Sequence, residues 1–394
     1  MLRPESVDQL RDLIVHAVAR EMPLALVGSG SKAGWGRPVQ AAETVSLGGF
    51  SGITLYEPAE LVMRAGAGTP LAEILAALEA ENQMLAFEPP DVAPLWGGAA
   101  GAGTLGGAFS VNLGGPRRVK AGAARDHLLG FAGVSGRGEA FKAGGRVVKN
   151  VTGYDLAKLV CGAFGTLVAL TELTFKVLPA PEKSRSVLVF GQAPQAAVEA
   201  MAAALGSPFE VSGAAYLPEA VAGRSRVDYV GNAGAAVTAI RVEGTHISVG
   251  ARAEALKTLL KPFGAVETLH TMRSAALWRE VRDAGGLLRG PVLWRLSLPP
   301  AAAAAVAGEI GGEVLADWGG GLLWIALPEA ADGHAGRVRR ALAATGGHAT
   351  LLRAPDAVRA AVPVFQPEAP AVQALSARVR AAFDPKGILN PGRM

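Results

Sequence analysis

Gly97-Gly-Ala-Ala-Gly-Ala-Gly-Thr-Leu-Gly-Gly107 matches neither the 3.6-residue period of a helix nor the two-residue alternation of a strand. Ordering so many positions without a Cβ costs more backbone entropy than ordering any other composition, so an ordered run needs something to offset the cost. A bound dinucleotide would do so; the alternative is a flexible loop. The segment before it, Pro89-Pro90-Asp91-Val92-Ala93-Pro94, is too proline-rich for the tight strand-to-helix turn of the Rossmann fingerprint. Loops of this length inside a compact domain are functional or disordered, and strand-like flanks favour function.

Upstream, the apolar run Leu24–Val27 leads directly into Gly28-Ser29-Gly30-Ser31-Lys32. Consecutive amides in such a strand-to-loop turn form an anion-binding nest suited to a pyrophosphate, although an ordinary tight turn has the same composition. Lys32 does not complete a Walker loop. Downstream, Gly145-Arg-Val-Val-Lys-Asn-Val-Thr-Gly-Tyr-Asp155 brings Lys149, Asn150, Thr152 and Asp155 close together. This combination admits a catalytic reading beside two plainer ones, Lys149 neutralising a phosphate and Asp155 capping the following helix.

The chain has 394 residues, long enough for two domains. Half of them are hydrophobic and 18% are charged, which places the chain well outside the disordered class. Its 51 glycines, against about 7% in an average chain, cluster in the first half. A GC-rich genome is the plainer alternative reading of that excess. A net charge of +4 with dispersed Lys and Arg lacks the basic footprint of a nucleic-acid binder. The densest basic group, Arg117, Arg118 and Lys120, follows the glycine-rich segment and suits an anionic ligand. A single cysteine, Cys161, excludes an internal disulfide framework and a Cys-ligated iron–sulfur cluster within this chain. No apolar stretch reads as a membrane span, and Met1–Leu10 has polar residues where a signal peptide needs an apolar run. The expected location is therefore the cytoplasm, with peripheral attachment to the inner membrane left open.

Periodicity predicts a helix over 4–21, strands over 24–27, 44–47, 52–56 and 61–65, and a helix over 70–82 with Thr69 as its N-cap. Residues 97–115 stay unassigned. Strands are expected over 126–134 and 166–177, with a helix over 154–160 between them. After a proline-containing linker at 179–183, strands alternate with Ala-rich helices as in an α+β domain. This pattern ends near Pro363–Pro370, before a last helix over 371–383.

Seven strings in order carry a family resemblance: Gly28-Ser-Gly-Ser31, Thr104-Leu-Gly-Gly107, Gly115-Pro-Arg-Arg118, Arg125-Asp126, Val148-Lys-Asn-Val-Thr-Gly-Tyr-Asp155, Gly165-Thr-Leu-Val-Ala-Leu-Thr-Glu172 and Asp384-Pro-Lys-Gly-Ile-Leu-Asn-Pro-Gly392. Together they resemble the FAD-linked oxidase family that shares the fold of vanillyl-alcohol oxidase, in particular the smaller flavoprotein subunits of bacterial glycolate oxidases. The resemblance implies an α+β protein: a PCMH-type FAD-binding domain of two α+β subdomains over 1–181, an α+β cap over 182–366, and a C-terminal segment, 367–394, returning to the first domain. It implies non-covalent FAD, because the glycine loops contain neither the His nor the Cys that tethers the ring in some relatives. The implied cofactor contacts are Gly28, Ser29, Gly30, Ser31 and Lys32; Pro90; Thr104, Leu105, Gly106 and Gly107; and Ser110, Asn112, Gly114 and Arg117. They continue through Lys149, Asn150, Gly153 and Asp155 to Gly165, Thr166, Leu170 and, near the isoalloxazine, Asn390.

The implied activity is oxidation of a small 2-hydroxy acid within a complex that includes a larger FAD-binding subunit and an iron–sulfur subunit. Direct oxidation by this chain alone, or a structural flavin without its own substrate, are the alternatives. Larger relatives carry a His-rich metal motif in the cap. Here the six histidines, His16, His127, His246, His270, His334 and His348, stand singly, so no metal ligand set and no general base is evident. In the cap, Trp294-Arg295-Leu296-Ser297 reads as a strand with Arg295 and Ser297 on one face, where Arg295 is suited to grip a carboxylate. A solvated strand face or a domain-interface salt bridge is the alternative for this pair.

Overall fold

The structure, a computed structural model, describes residues 1–146 and 153–394. The chain divides into two units of similar size. The first comprises Met1–Gly114, Gly122–Ala180 and Pro367–Met394; the second comprises Gly115–Ala121 and Pro181–Gln366. The units divide at 180/181 and 366/367, and the short piece 115–121 belongs to the second unit.

In the first unit, helix α1 (Val7–Arg20) begins at Ser6, whose hydroxyl accepts Gln9 N–H, and buries Leu10, Ile14 and Ala17 at helical spacing. Strand β1 (Leu24–Val27) pairs in parallel with β2 (Glu43–Ser46). A five-stranded antiparallel sheet follows from β3 (Ile53–Glu57), β4 (Val62–Gly66), β6 (Leu128–Ser135), β7 (Ala140–Gly144) and β8 (Val168–Lys176), in the order β3-β4-β8-β6-β7. A short pair joins β5 (Gln83–Met84) to β9 (Leu178–Pro179). Two cores result: Met63, Phe87, Phe109 and Phe175 pack around the larger sheet, and Leu10, Leu24 and Val45 around the parallel pair.

Helix α2 (Leu71–Ala80) differs from expectation at its start. Pro70 is the N-cap residue, while the Thr69 hydroxyl donates to Gly66 C=O at 2.7 Å and accepts Gly52 N–H at 2.9 Å, tying two loops together. Proline pre-sets the backbone there, so the cap hydroxyl is released for other work. The glycine run also holds a helix that its composition hides: α3 (Leu105–Ser110) starts at Thr104, whose Oγ1 accepts Gly107 N–H at 3.3 Å. Two glycines in its first turn disfavour a helix locally, and burial of Leu105, Ala108 and Phe109 overrides that preference. The expected strand start at 126 is instead a helical turn, Ala124–His127, that feeds β6.

The second unit is one eight-stranded antiparallel sheet. Its strands are β10 (Lys183–Phe190), β11 (Gly213–Leu217), β12 (Val237–Gly244), β13 (Val266–Leu269), β14 (Val292–Ser297), β15 (Glu313–Asp317), β16 (Leu322–Leu327) and β17 (His348–Arg353). Their order is β13-β10-β12-β11-β15-β16-β14-β17. The helices Pro194–Leu205, His246–Leu260, Ala303–Ile310 and Ala335–Ala343 bury Val198, Leu256, Val306 and Val338 in the same core as Trp294, Leu296 and Ile325. The last helix, Pro370–Phe383, has no buried residue.

Candidate functional site

The first unit holds a half-open cavity lined by the turn after β1, by the start of α3, and by residues around Gly165, with Asn390 and Arg393 from the tail. Of the sequence-predicted residues, the structure brings together Gly28, Ser29, Gly30, Ser31 and Lys32 with Thr104, Gly106, Gly107 and Ser110, and with Gly165, Leu170 and Asn390.

The loops touch rather than merely approach. A Cβ on Gly28 would overlap Oγ1 of Thr104, so only glycine lets the first turn lie against the cap of α3. The Ser29 hydroxyl donates to Ala102 C=O from one loop to the other. Gly165 has φ +70°, and a Cβ there would lie 2.8 Å from Nδ2 of Asn390. The carboxamide of Asn390 is itself engaged at both ends: Oδ1 accepts Leu26 N–H at 2.7 Å and Nδ2 donates to Phe164 C=O at 2.8 Å. The tail is therefore stitched to β1 and to the turn before Gly165. Arg393 adds a donor from the same tail, to Ala33 C=O at 3.1 Å.

Lys32 supplies a half-buried cation to the cavity. Its Nζ lies 3.5 Å from where a Cβ on Gly103 would sit and 3.6 Å from the same position on Gly107, inside the glycine cradle. Burial pulls its pKa down to about 8, against the opposing field of Asp91, whose carboxylate accepts Gly101 N–H at 2.7 Å. A partly desolvated ammonium beside the turn Gly28–Ser31 is a donor set matched to a diphosphate, so these residues fit a dinucleotide.

Other predicted contacts lie elsewhere. Leu105 is core, Pro90 and Gly114 are buried outside the cavity lining, and the Thr166 hydroxyl donates to Ala163 C=O at 2.7 Å. Asn112 accepts Arg125 N–H at 3.0 Å. Gly153, at φ +69°, is exposed, and Asp155 caps Leu156–Val160 by accepting Lys158 N–H. Lys149 and Asn150 fall outside the described residues. Arg117 belongs to the second unit, where its guanidinium pairs with Glu243 at 2.8 Å. Burial would raise the Glu243 pKa, but Arg241 and Arg117 outweigh it and hold the carboxyl at about 2. Sequence reasoning missed Leu47, Ala67, Phe164 and Arg393 as lining residues. Phe164 directly precedes the quoted Gly165–Glu172 string and Arg393 directly follows the quoted tail string, so these two had a local signal.

In the second unit, Arg295 and Ser297 share a strand face opposite the buried Trp294 and Leu296, as alternation predicts. The Arg295 guanidinium carbon lies 5.0 Å from the Trp318 ring centroid and 5.7 Å from that of Trp324, and its Nε has no hydrogen-bond partner. Cys161 is buried, donates to Phe109 C=O at 3.1 Å, and has its pKa pushed up to about 12 by burial, so it is no reactive thiol. Among the described residues no His/Cys/Asp/Glu cluster suits a metal ion, and no helix is long and apolar enough to cross a membrane.

Residues 1–144 match the family described as FAD binding domain. The fold is similar to that of p-cresol methylhydroxylase with substrate bound, at a TM-score of 0.71 and 14% identity over 99% of this chain and 87% of the other. It is also similar to alkyldihydroxyacetonephosphate synthase, at 0.70 and 15% over 99% and 75%. Glycolate oxidase subunit GlcD of Bacillus subtilis is 27% identical over 189 residues, 48% of this chain and 38% of that protein. Glycolate oxidase subunit GlcE of Escherichia coli is 36% identical over 398 residues, 100% of this chain and 99% of the relative. With likeness along its whole length, the chain belongs to the FAD-linked oxidase family, in the branch of the glycolate oxidase subunit GlcE.

Proposed function

We propose that this chain is a non-covalent FAD-binding oxidoreductase subunit of a 2-hydroxy acid (glycolate) oxidase complex. One observation carries the cofactor assignment: the turn Gly28–Lys32, the start of α3 and Gly165 line a single cavity with the half-buried Lys32 ammonium in its glycine cradle. The amides of Gly28–Ser31, with Lys32, would hold the diphosphate, and the start of α3 would lie against it. Gly165, Leu170 and the turn before them would flank the adenosine side. FAD, when bound, supplies the two-electron chemistry; the protein orients it and tunes its electrostatics. No His or Cys lies in either glycine loop, which supports a non-covalent link.

Arg295, with Ser297, is the proposed grip for the acid's carboxylate, because its Nε lacks a partner and its guanidinium rests on indole rings. The names of the GlcE and GlcD relatives support a multi-subunit assembly. We infer a larger FAD-binding subunit and an iron–sulfur subunit as partners, the latter because Cys161 is this chain's only cysteine. Within that proposal the complex is cytoplasmic, with any membrane attachment made peripherally.

The purified chain is expected to be yellow and to release FAD into an acid supernatant; a colourless chain that rejects added FAD sinks the assignment. Anaerobic glycolate then separates the roles. Bleaching only when a larger flavoprotein and an iron–sulfur partner are added supports the subunit reading, and bleaching of the isolated chain supports direct oxidation.

A further inference from the structure

A second cavity, of about 370 Å³, is built wholly from the second unit and shares no lining residue with the cavity of the first. It opens between the helices Pro194–Leu205 and Ala303–Ile310, against β11, β15 and β16. Its lining residues Tyr216, Ala316 and Leu323 belong to the helix-covered core, and Leu323 is the cross-strand partner of Leu296. The cavity therefore lies on the sheet face away from Arg295. Well-packed interiors leave few voids larger than a water molecule, whereas an apolar cavity of about 150 Å³ already stays dry and takes up benzene. This one is more than twice that size.

Small side chains make the room. On the helix Ala303–Ile310, Ala304, Ala307 and Gly308 stand at i, i+3 and i+4, one stripe of an α-helix, and all three line the cavity. Glycine weakens a helix relative to alanine, yet a Cβ on Gly308 would meet no atom within 4 Å. The space beside it is open. Of the described residues that line the cavity only Glu313 is charged, and its carboxylate is engaged: Arg224 Nη1 donates to Oε2 at 2.7 Å, as does Arg289 N–H. The Tyr216 hydroxyl donates to Gln192 C=O at 3.1 Å. The wall thus offers apolar contact and no free counter-charge, so a charged ligand would lose water without compensation. Seventeen described residues line the cavity, fewer than the roughly 20–30 that each side of a stable protein interface contributes. Its concave form suits a small molecule instead.

We propose that the second unit carries a separate binding site for a small, uncharged, mainly hydrocarbon molecule, held between the helices Pro194–Leu205 and Ala303–Ile310. Burial of apolar surface drives the binding. Val198, Val221 and Leu323 supply branched walls, and Met201, whose unbranched thioether fills irregular gaps, adjusts the fit. The site stands apart from the flavin assignment, which concerns the first unit, and from the carboxylate grip, which concerns the other face of the sheet. It therefore survives the failure of either reading.

The test titrates the full chain with N-phenyl-1-naphthylamine, an uncharged apolar fluorophore that brightens on leaving water. One molecule per chain is expected to bind saturably, and straight-chain alcohols should displace it, each added methylene tightening the competition roughly fourfold. That gain should stop at the length that fills the cavity. A gain without limit, or uptake that never saturates, marks loose apolar surface and overturns the inference. Octanoate should compete at least about tenfold less well than octanol; equal competition refutes the selection against charge. Ala304→Leu and Gly308→Leu extend side chains into the cavity and should each weaken fluorophore binding about tenfold or more, with the melting temperature kept or raised. Ala305→Leu adds the same side chain at an exposed position of the same helix and should bind as the wild type does. Unchanged affinity in both cavity variants, or an equal loss in Ala305→Leu, overturns the inference.

Discussion

The side-chain oxygen of Asn390 accepts the backbone N–H of Leu26 at 2.7 Å across 364 positions of sequence. The same carboxamide donates to Phe164 C=O, so one side chain closes β1, the turn before Gly165 and the tail into a single rim of the cavity. Asn390→Ala leaves both backbone groups unmet, at about 1–3 kcal/mol each. Urea unfolding of the variant should show a loss of at least about 2 kcal/mol, accompanied by weaker FAD retention on gel filtration. Wild-type stability in N390A would contradict the stitch.

Gly28→Ala tests the contact between the two glycine loops. The added methyl must displace Thr104 Oγ1, and with it the hydroxyl that caps α3. Loss of such a cap costs about 1 kcal/mol, so Thr104→Ala alone should destabilise by a similar amount. The double variant should be less damaged than the sum of the singles, because the methyl then meets an emptied position. Thermal melts of the three proteins, each with its flavin-to-protein absorbance ratio, decide the matter; strict additivity argues against the contact.

Lys32 is expected to affect stability and cofactor retention in opposite directions. Its pKa is about 8 when folded and near the ordinary 10.5 when unfolded. Between those values the unfolded chain binds more protons, so the stability of the cofactor-free protein should rise as pH increases from about 8 to about 10.5. FAD affinity should fall over the same interval as the ammonium is lost. Lys32→Met should therefore raise the melting temperature of the cofactor-free chain and weaken FAD binding by about tenfold or more. Fluorescence titration of FAD against pH provides the readout, and a flat affinity across that range would remove Lys32 from the diphosphate site.

Glu243 is the second unit's acid-sensitive clamp. Its folded pKa, about 2, is below the ordinary 4.5, so its contribution is complete above about 4.5 and disappears as pH falls through about 2. Glu243→Gln removes it at every pH and leaves Arg117 and Arg241 facing an uncharged group, a loss of about 3 kcal/mol. Chemical unfolding at neutral pH and at pH near 3 should show the variant losing less between the two conditions than the wild type.

The parts of the fold that could be read in advance are those set by neighbours in sequence. Leu24–Val27 feeding Gly28–Lys32 is a local strand-to-turn signal, and Arg295 with Ser297 opposite Trp294 and Leu296 is plain alternation. The glycine run concealed α3 because propensity alone argues against a helix there, while the Thr104 cap and the fit of Gly106 against Ala67 are tertiary facts. Arg117 looked like an anion ligand from its place beside the glycines. Its partner Glu243 is 126 positions away, and no spacing rule reaches that far.

The ribbon Gly115–Ala121 has a consequence for modularity. It is encoded within the first unit yet contributes Arg117 to the ion cluster of the second, and Trp318 Nε1 donates to its Gly115 C=O at 3.0 Å. A gene fragment cut at 180/181 and 366/367 would produce a β-sheet whose Glu243 has lost one of its two counter-charges. The halves of this protein consequently cannot be shuffled as independent cassettes; recombination that exchanges one must carry seven codons from inside the other.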